Sequence, residues 1–318
     1  MEEVSEWMYL GCVISNKNDN SSQIKNIKSK SVSTIRKIFS YMNQMRLGNF
    51  YFECGVLFDN VMLRASMLYA TETLYNITET EMRQIERLEE SYLRQALGTI
   101  RTCPLTEIYL SLGQYPARYE ILKRRLLFLK FILNQSESTI LYNFFQCQAN
   151  SPTINDWVTT CKSDLKHINL QLSFQQIKEM NLNNFKSMLI ENIKTKALSY
   201  LSLRRKQKGS KVINNSLQMS QYLLPNQFVD NIEDKRMLFS IINDMYLCTK
   251  NNFVKKICFC NVQEETLQHL YECKIYNDKQ HDVKYDRIYN GSVKEQKEIL
   301  EKMQIIFDKR SKMEITNI

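Results

Sequence analysis

The segment ARYEILKRRLLFLKFILN, residues 117–134, decides the fold class. Its apolar residues recur every three or four positions, which places them on one face of an α-helix. The leucines of this stripe are Leu122, Leu126, Leu129 and Leu133. A stripe of this kind leaves water only by packing against other elements. The segment therefore predicts a long helix whose leucines lie in a protein core.

Helical periodicity continues on both sides of this segment. Thr78 and Glu81 fit the capping box that opens a helix, and Gly98 suits its C-terminal end. Apolar residues surround the whole circumference of residues 53–74, which predicts a buried helix there. The chain has only 7 Gly and 4 Pro, which favours helices over turn-rich β-structure. The predicted helices cover residues 23–44, 53–74, 78–98, 117–134, 155–167, 181–205, 233–247 and 294–310.

One short strand is predicted near the beginning, at WMYLGCVIS, residues 7–15. It is rich in aromatic and β-branched residues and is followed by a cluster of Asn, Asp and Ser at 16–22. No hairpin partner is expected after it. The fold class predicted from the sequence is therefore mainly α.

The length of 318 residues and the 43% content of hydrophobic residues indicate a globular chain of about two or three parts. The sequence Ala-Asn-Ser-Pro at 149–152 is the best candidate for a boundary between helical segments. We predict a helical domain over 1–150, a basic helical connector over 151–250, and a cysteine-containing segment with a terminal helix over 251–318.

The sequence predicts an intracellular protein, nuclear or cytoplasmic, with no membrane partner. The first residues are acidic and no apolar signal segment follows them. No run of about 18 apolar residues could span a bilayer. In a reducing compartment the 9 cysteines are expected to be thiols or metal ligands rather than disulfides.

Three of the cysteines and one of the 3 histidines fall within sixteen residues. They are Cys258, Cys260, His269 and Cys273. Thiolate and imidazole ligands in fours are typical of structural Zn²⁺, which leaves no open coordination position. The helix carrying His269 and Cys273 is predicted to begin near Glu264, and His281 is a spare ligand. The alternative is a chance grouping in a cysteine-rich chain.

Positive charge is concentrated in two segments of a chain whose net charge is +9. Within 181–211, eight positive residues accompany a single glutamate, and a second group lies on the leucine-striped helix. Clustered Lys and Arg side chains bind phosphate backbones without sequence preference. The alternative is a solvated helix face. The residues predicted to contact nucleic acid are Lys123, Arg124, Arg125, Lys194, Lys196, Arg204, Arg205, Lys206, Lys208 and Lys211.

The sequence contains no convincing catalytic motif. The glycines stand alone, so a glycine-rich phosphate loop is excluded, and no Asp-Asp pair that could hold two metal ions is present. His167, beside Lys166 at a predicted helix end, is expected to be a solvated residue. No catalytic residue is therefore predicted.

Several motifs together resemble the C-terminal part of non-LTR (LINE-type) retrotransposon reverse transcriptases. Tyr9-Leu10-Gly11 with Ile14 resembles the YLG-x-x-I strand that follows the palm of that family. Residues 62–73 resemble its thumb helix, residues 85–98 the helix ending in R-x-x-L-G, and residues 106–126 the segment after the thumb. The cysteine cluster resembles the family's zinc ribbon, with His269 and Cys273 one residue closer than usual. The similarity covers almost the whole chain, in the same order.

The resemblance implies a thumb-like helical bundle, a connector and a C-terminal zinc ribbon that grip RNA or DNA. The family's catalytic aspartates lie before the YLG strand, so it implies no polymerase activity for this chain alone. A separate palm or polymerase chain is a possible partner under this interpretation. Two alternatives stay open. The chain could be a helical protein-interaction module that uses residues 53–74 and 117–134, or it could be a genomic relic without function.

Overall fold

The computed structural model describes residues 5–16, 19–99, 103–151, 156–208, 217–220, 223–224, 232–243, 258–260, 266–276, 283–290 and 292–316. The described chain is mainly helical, as predicted. The α-helices are α1 (Ser21–Gln44), α2 (Tyr51–Phe58), α3 (Arg64–Met67), α4 (Glu79–Leu97), α5 (Leu105–Ser111), α6 (Ala117–Leu133), α7 (Ile140–Asn150), α8 (Trp157–His167), α9 (Phe174–Glu179), α10 (Leu182–Lys208), α11 (Ile232–Ile242), α12 (Leu267–Glu272), α13 (Arg287–Asn290) and α14 (Val293–Thr316).

The helix signals identified in the sequence are confirmed at both ends of α4. The Thr78 backbone N–H donates to Glu81 Oε2 at 2.8 Å, and the Glu81 N–H donates to Thr78 Oγ1 at 3.2 Å. This is the reciprocal capping box. Gly98 follows the helix with φ +64°, a left-handed conformation that glycine adopts at little cost. The leucine stripe of α6 is buried along its length.

The segment between α2 and α3 departs from the prediction of a uniformly buried helix. A π-helical turn at Asp59–Leu63 joins the two helices. The extra residue in such a turn shifts the faces of the helix on either side. Leu57 and Val61 are consequently more than half exposed, while Asp59 and Arg64 are buried. The prediction that residues 53–74 form one uniformly buried helix was therefore wrong.

The single strand predicted near the beginning is instead a hairpin of β1 (Glu6–Tyr9) and β2 (Cys12–Ser15). The strands pair antiparallel, with Trp7 opposite Ile14. The prediction that no partner strand follows was wrong, because the turn is made by only Leu10 and Gly11, within the run assigned to one strand. Both have positive φ, +46° and +82°, as two-residue hairpins commonly require.

The chain forms two compact units. The first contains residues 1–45, 55–93 and 114–204. Its core includes a cluster of buried residues from α1, α3, α4 and α6, with Leu74 beside them: Ile24, Ile27, Met67, Leu68, Leu74, Ile85, Leu88, Ala117 and Ile121. On α10 every fourth residue from Phe185 to Leu201 is buried.

The predicted boundary near residue 150 lies inside this first unit. Residues on both sides of it are joined by polar contacts. Trp157 Nε1 donates to the backbone oxygen of Glu72 at 2.8 Å. The ammonium of Lys130 donates to three carbonyl oxygens at the end of α9, those of Ile177, Lys178 and Met180, at 2.6 to 2.9 Å. The chain thus divides differently from the three predicted domains.

The second unit contains residues 46–54, 94–113 and 205–318. An isolated antiparallel bridge joins Leu112 to Met219, and the Ser220 N–H donates to Ser111 O at 2.8 Å. The predicted final helix is confirmed as α14, whose buried residues include Ile299, Met303 and Ile306. Across all of the described ranges, no helix is long and apolar enough to cross a membrane.

Candidate metal centre and candidate nucleic-acid interface

Cys258, Cys260, His269 and Cys273 converge in the second unit, as the sequence predicts. Their ligand atoms all lie within 4.8 Å of one another. The Sγ atoms of Cys258 and Cys273 are 3.8 Å apart, and Cys260 Sγ is 3.3 Å from His269 Nε2. This cluster could hold a metal ion. In the described part of the chain, no other group of three or more His, Cys, Asp or Glu side chains has such an arrangement.

Local structure explains how these four side chains meet. Thr266 caps α12, with its hydroxyl accepting from the His269 N–H at 3.0 Å. His269 lies in the first turn, whereas Cys273 follows the last residue of the helix in an extended conformation. Cys258 and Cys260 come from a turn in a separate described segment. The predicted helix start at Glu264 and the spare ligand His281 lie outside the described residues.

The cluster rests on aromatic and cationic side chains around α14. Tyr271, between the two α12-side ligands, donates its hydroxyl proton to Val283 O at 2.9 Å. The Lys302 ammonium lies 3.4 Å from the centroid of the Tyr271 ring, a cation–π contact. The Lys309 ammonium donates to Tyr276 O at 3.1 Å. The ligand-bearing segment is thereby fixed to the terminal helix, which suits a structural role.

The basic residues predicted on α6 are engaged within the first unit. Lys123 and Arg124 both contact the Glu120 carboxylate, at 2.6 and 3.7 Å. Arg125 is buried and pairs with Asp164 at 2.5 Å. A buried guanidinium cannot reach a phosphate without breaking this pair, at a cost of several kcal/mol. The buried pair argues against the predicted contact between Arg125 and nucleic acid. The sequence did not indicate this pair, because Asp164 lies 39 residues away.

The basic residues predicted on α10 are more accessible to solvent than those on α6. Lys194 is exposed, and Lys196 and Arg204 are partly exposed. As far as the chain is described, none of these three forms an ion pair. The helix continues through Lys208, whereas the side chains of Arg205, Lys206 and Lys208, and the whole of Lys211, lie outside the described residues.

The sequence analysis missed positive and aromatic side chains on α8 and at the start of α9. Lys162 and Lys166 are exposed on α8 and line a surface groove of about 660 Å³ that continues to Phe174. His167, the last residue of α8, is exposed as predicted. Partial burial and the positive charges of Lys196 and Arg118 lower the pKa of His167.

A buried charge cluster in the first unit was also missed. Arg64 Nε donates to Glu89 Oε1 at 2.7 Å and lies 3.2 Å from Asp59 Oδ2. Arg64 also donates to Tyr115 O at 2.6 Å. The second oxygen of Glu89 accepts from the Ala117 N–H at 3.1 Å. Burial raises the pKa of Asp59 to about 7 despite the opposing charge of Arg64. Asp59 and Glu89 have no exposed surface, which indicates a structural cluster rather than a catalytic one.

Comparison with protein-family models, curated proteins and solved structures finds no match for this chain. The resemblance to non-LTR reverse transcriptases rests on the sequence motifs alone.

Proposed function

We propose that this chain binds RNA or DNA through phosphate contacts made by the cations of α10. The supporting observation is a difference in pairing. The cations of α6 are held by Glu120 and Asp164, whereas Lys194, Lys196 and Arg204 have no carboxylate partner in the described structure. Unpaired, solvent-accessible cations gain most from phosphate binding, because no ion pair is broken and counterions are released.

We further propose that the Cys/His cluster holds Zn²⁺ in a structural role. Zinc–sulfur bonds of about 2.3 Å in a tetrahedron separate two sulfur ligands by about 3.8 Å. The distance between Cys258 Sγ and Cys273 Sγ fits this value. Four protein ligands leave no coordination position for water or substrate, so zinc here would stabilise the fold and perform no chemistry.

The order of motifs supports an origin in a non-LTR reverse transcriptase. In this proposal the chain corresponds to the part that grips nucleic acid, and it has no polymerase activity of its own.

The test is a titration of fluorescent RNA and DNA with the zinc-loaded protein at about 50 and 200 mM salt. If three phosphate contacts are made, the affinity should fall roughly 40-fold over this range. Replacing Lys194, Lys196 and Arg204 with Ala should weaken binding and lower the salt slope by about one per charge. The control variant replaces Lys25, Lys28 and Arg36 with Ala. These exposed residues of α1 carry the same total charge as the three α10 cations. Equal losses in the two triple variants would refute the α10 assignment.

A protein-interaction module is the second candidate function. Exposed apolar side chains on the hairpin favour it, since Trp7, Met8, Tyr9 and Leu10 are all more than half exposed. A patch of this kind marks many protein-binding surfaces. Size-exclusion chromatography with light scattering distinguishes the candidates, because a monomer that binds nucleic acid in a salt-dependent way supports the first.

A further inference from the structure

Three aromatic rings from α6, α8 and α10 meet in the first unit. We call Tyr119, His167 and Tyr200 the aromatic cluster. The ring centroids of Tyr119 and His167 are 6.1 Å apart, and those of Tyr119 and Tyr200 are also 6.1 Å apart. Tyr119 is buried, Tyr200 is partly buried, and His167 is exposed. The cluster therefore extends from the core to the surface and ends in an exposed planar ring.

Two guanidinium groups lie against Tyr200. Arg204 is 4.7 Å and Arg118 is 5.6 Å from the ring centroid. Arg118 is neutralised, since it donates to Glu79 and Glu86 at 2.9 and 2.8 Å. Arg204 has no carboxylate partner among the described side chains. A guanidinium held against an aromatic ring is a planar, positively charged surface that is itself able to stack.

The interior end of the cluster contains an unsatisfied polar atom. The Tyr119 hydroxyl is buried and has no hydrogen-bond partner among the described residues. Burial and the neighbouring Tyr200 raise the pKa of Tyr119 to about 12, and Arg118 and Arg204 oppose that rise. The hydroxyl therefore stays protonated and lies within electrostatic range of the same guanidinium groups. A buried polar group without a partner is costly in a purely structural cluster.

We propose that this cluster is a stacking site for single-stranded nucleic acid. One base stacks on the His167 imidazole and another on the Arg204 guanidinium that Tyr200 supports, while Lys196 contacts the intervening phosphate. In a duplex both faces of each base are covered by neighbouring bases, whereas in a single strand they are available to aromatic and guanidinium groups. The inference rests on the proposed function and adds to it a preference for single strands.

The test compares a single strand, oligo-dT or oligo-U of about 20 nucleotides, with a duplex of equal length. The wild-type protein should bind the single strand more tightly. Replacing His167 with Ala, or Tyr200 with Leu, should weaken single-strand binding about tenfold and weaken duplex binding much less. The salt slope should also stay the same, because no phosphate contact of those two residues is lost. Replacing Lys196 with Ala should instead lower the slope by about one on both ligands.

The control is Tyr41→Leu, which removes an exposed tyrosine of α1. His167 is exposed, so His167→Ala is expected to fold, and circular dichroism checks both cluster variants. Equal affinity of the wild-type protein for both ligands would overturn the inference. So would cluster variants that bind like Tyr41→Leu, and in either case the α10 phosphate contacts would stand. Salt-independent binding, or none, would overturn the proposed function as well.

Discussion

Replacing Asp59 with Asn should stabilise the protein, and more so as the pH rises. Asp59 is completely buried on the π-helical turn, and within the described ranges both of its carboxylate oxygens lack a hydrogen-bond partner. It forms an ion pair with Arg64, which also pairs with Glu89. Two buried carboxylates thus share one guanidinium. An amide removes the excess negative charge and keeps nearly the same shape.

The magnitude follows from the shift in pKa. The pKa of Asp59 rises from an ordinary value of 3.8 to about 7, chiefly through burial. The folded state then binds a proton that the unfolded state has released, so stability falls as the pH rises between these two values. At about 1.4 kcal/mol per pH unit, the full loss is about 4 kcal/mol above pH 7. The advantage of Asp59→Asn should therefore be under about 1 kcal/mol at pH 4 and about 4 kcal/mol at pH 8.

The assay is urea unfolding at several pH values, followed by the fluorescence of Trp157. This indole is buried in the same unit as Asp59, whereas Trp7 is exposed. Protonation of the metal ligands affects wild type and variant alike, so the difference between them isolates Asp59. The control is Asp308→Asn, which changes an exposed aspartate. An advantage that does not grow with pH, or a variant less stable than wild type at pH 8, would refute the reasoning.

Two further predictions concern the metal centre and a buried ammonium. The zinc-loaded protein should contain about one zinc ion per chain, and Cys258→Ser should lose it. The control is Cys147→Ser, which changes an exposed cysteine and should keep the ion. Elemental analysis of the purified proteins measures the zinc content, and full zinc content in Cys258→Ser would remove that residue from the ligand set. Lys130→Met should destabilise the first unit by about 3 kcal/mol, because it leaves three carbonyl oxygens at the end of α9 without their donor. Lys123→Met, which breaks a partly exposed pair with Glu120, should cost under about 1 kcal/mol in the same urea titration.

The parts of the structure that the sequence predicted are those in which the cause lies within a few residues. The Thr78–Glu81 capping box, the positive φ at Gly98 and the leucine stripe of α6 each depend on one helix. The convergence of Cys258, Cys260, His269 and Cys273 belongs to the same group, because sixteen residues hold all four. Periodicity also gave the extent of α1, Ser21–Gln44, nearly correctly.

The features that the sequence did not predict depend on contacts or backbone geometry that no local pattern indicates. The hairpin was missed because its turn, Leu10-Gly11, lacks the polar residues that mark most turns. The π-helical turn at Asp59–Leu63 rotated the buried face in a way that no 3.6-residue pattern records. Arg64 contacts Glu89, which lies 25 residues away in the sequence. No local pattern therefore indicates that Asp59, Arg64 and Glu89 are buried together. Tertiary partners decide each of these cases.

Pairing with carboxylates, rather than the density of Lys and Arg in a segment, decides how positive charge should be interpreted. Lys123-Arg124-Arg125 is the denser run in the sequence, yet Glu120 and Asp164 use all three cations internally. Lys194, Lys196 and Arg204 are more widely spaced, but the described structure gives them no acidic partner. Binding of a phosphate backbone depends on cations that are accessible and unpaired, rather than on their number in a segment. Lys123 and Arg124 pair with Glu120 on the same helix, and Arg125 pairs with Asp164 of α8. The proposed nucleic-acid contacts are therefore assigned to the cations of α10 rather than to those of α6.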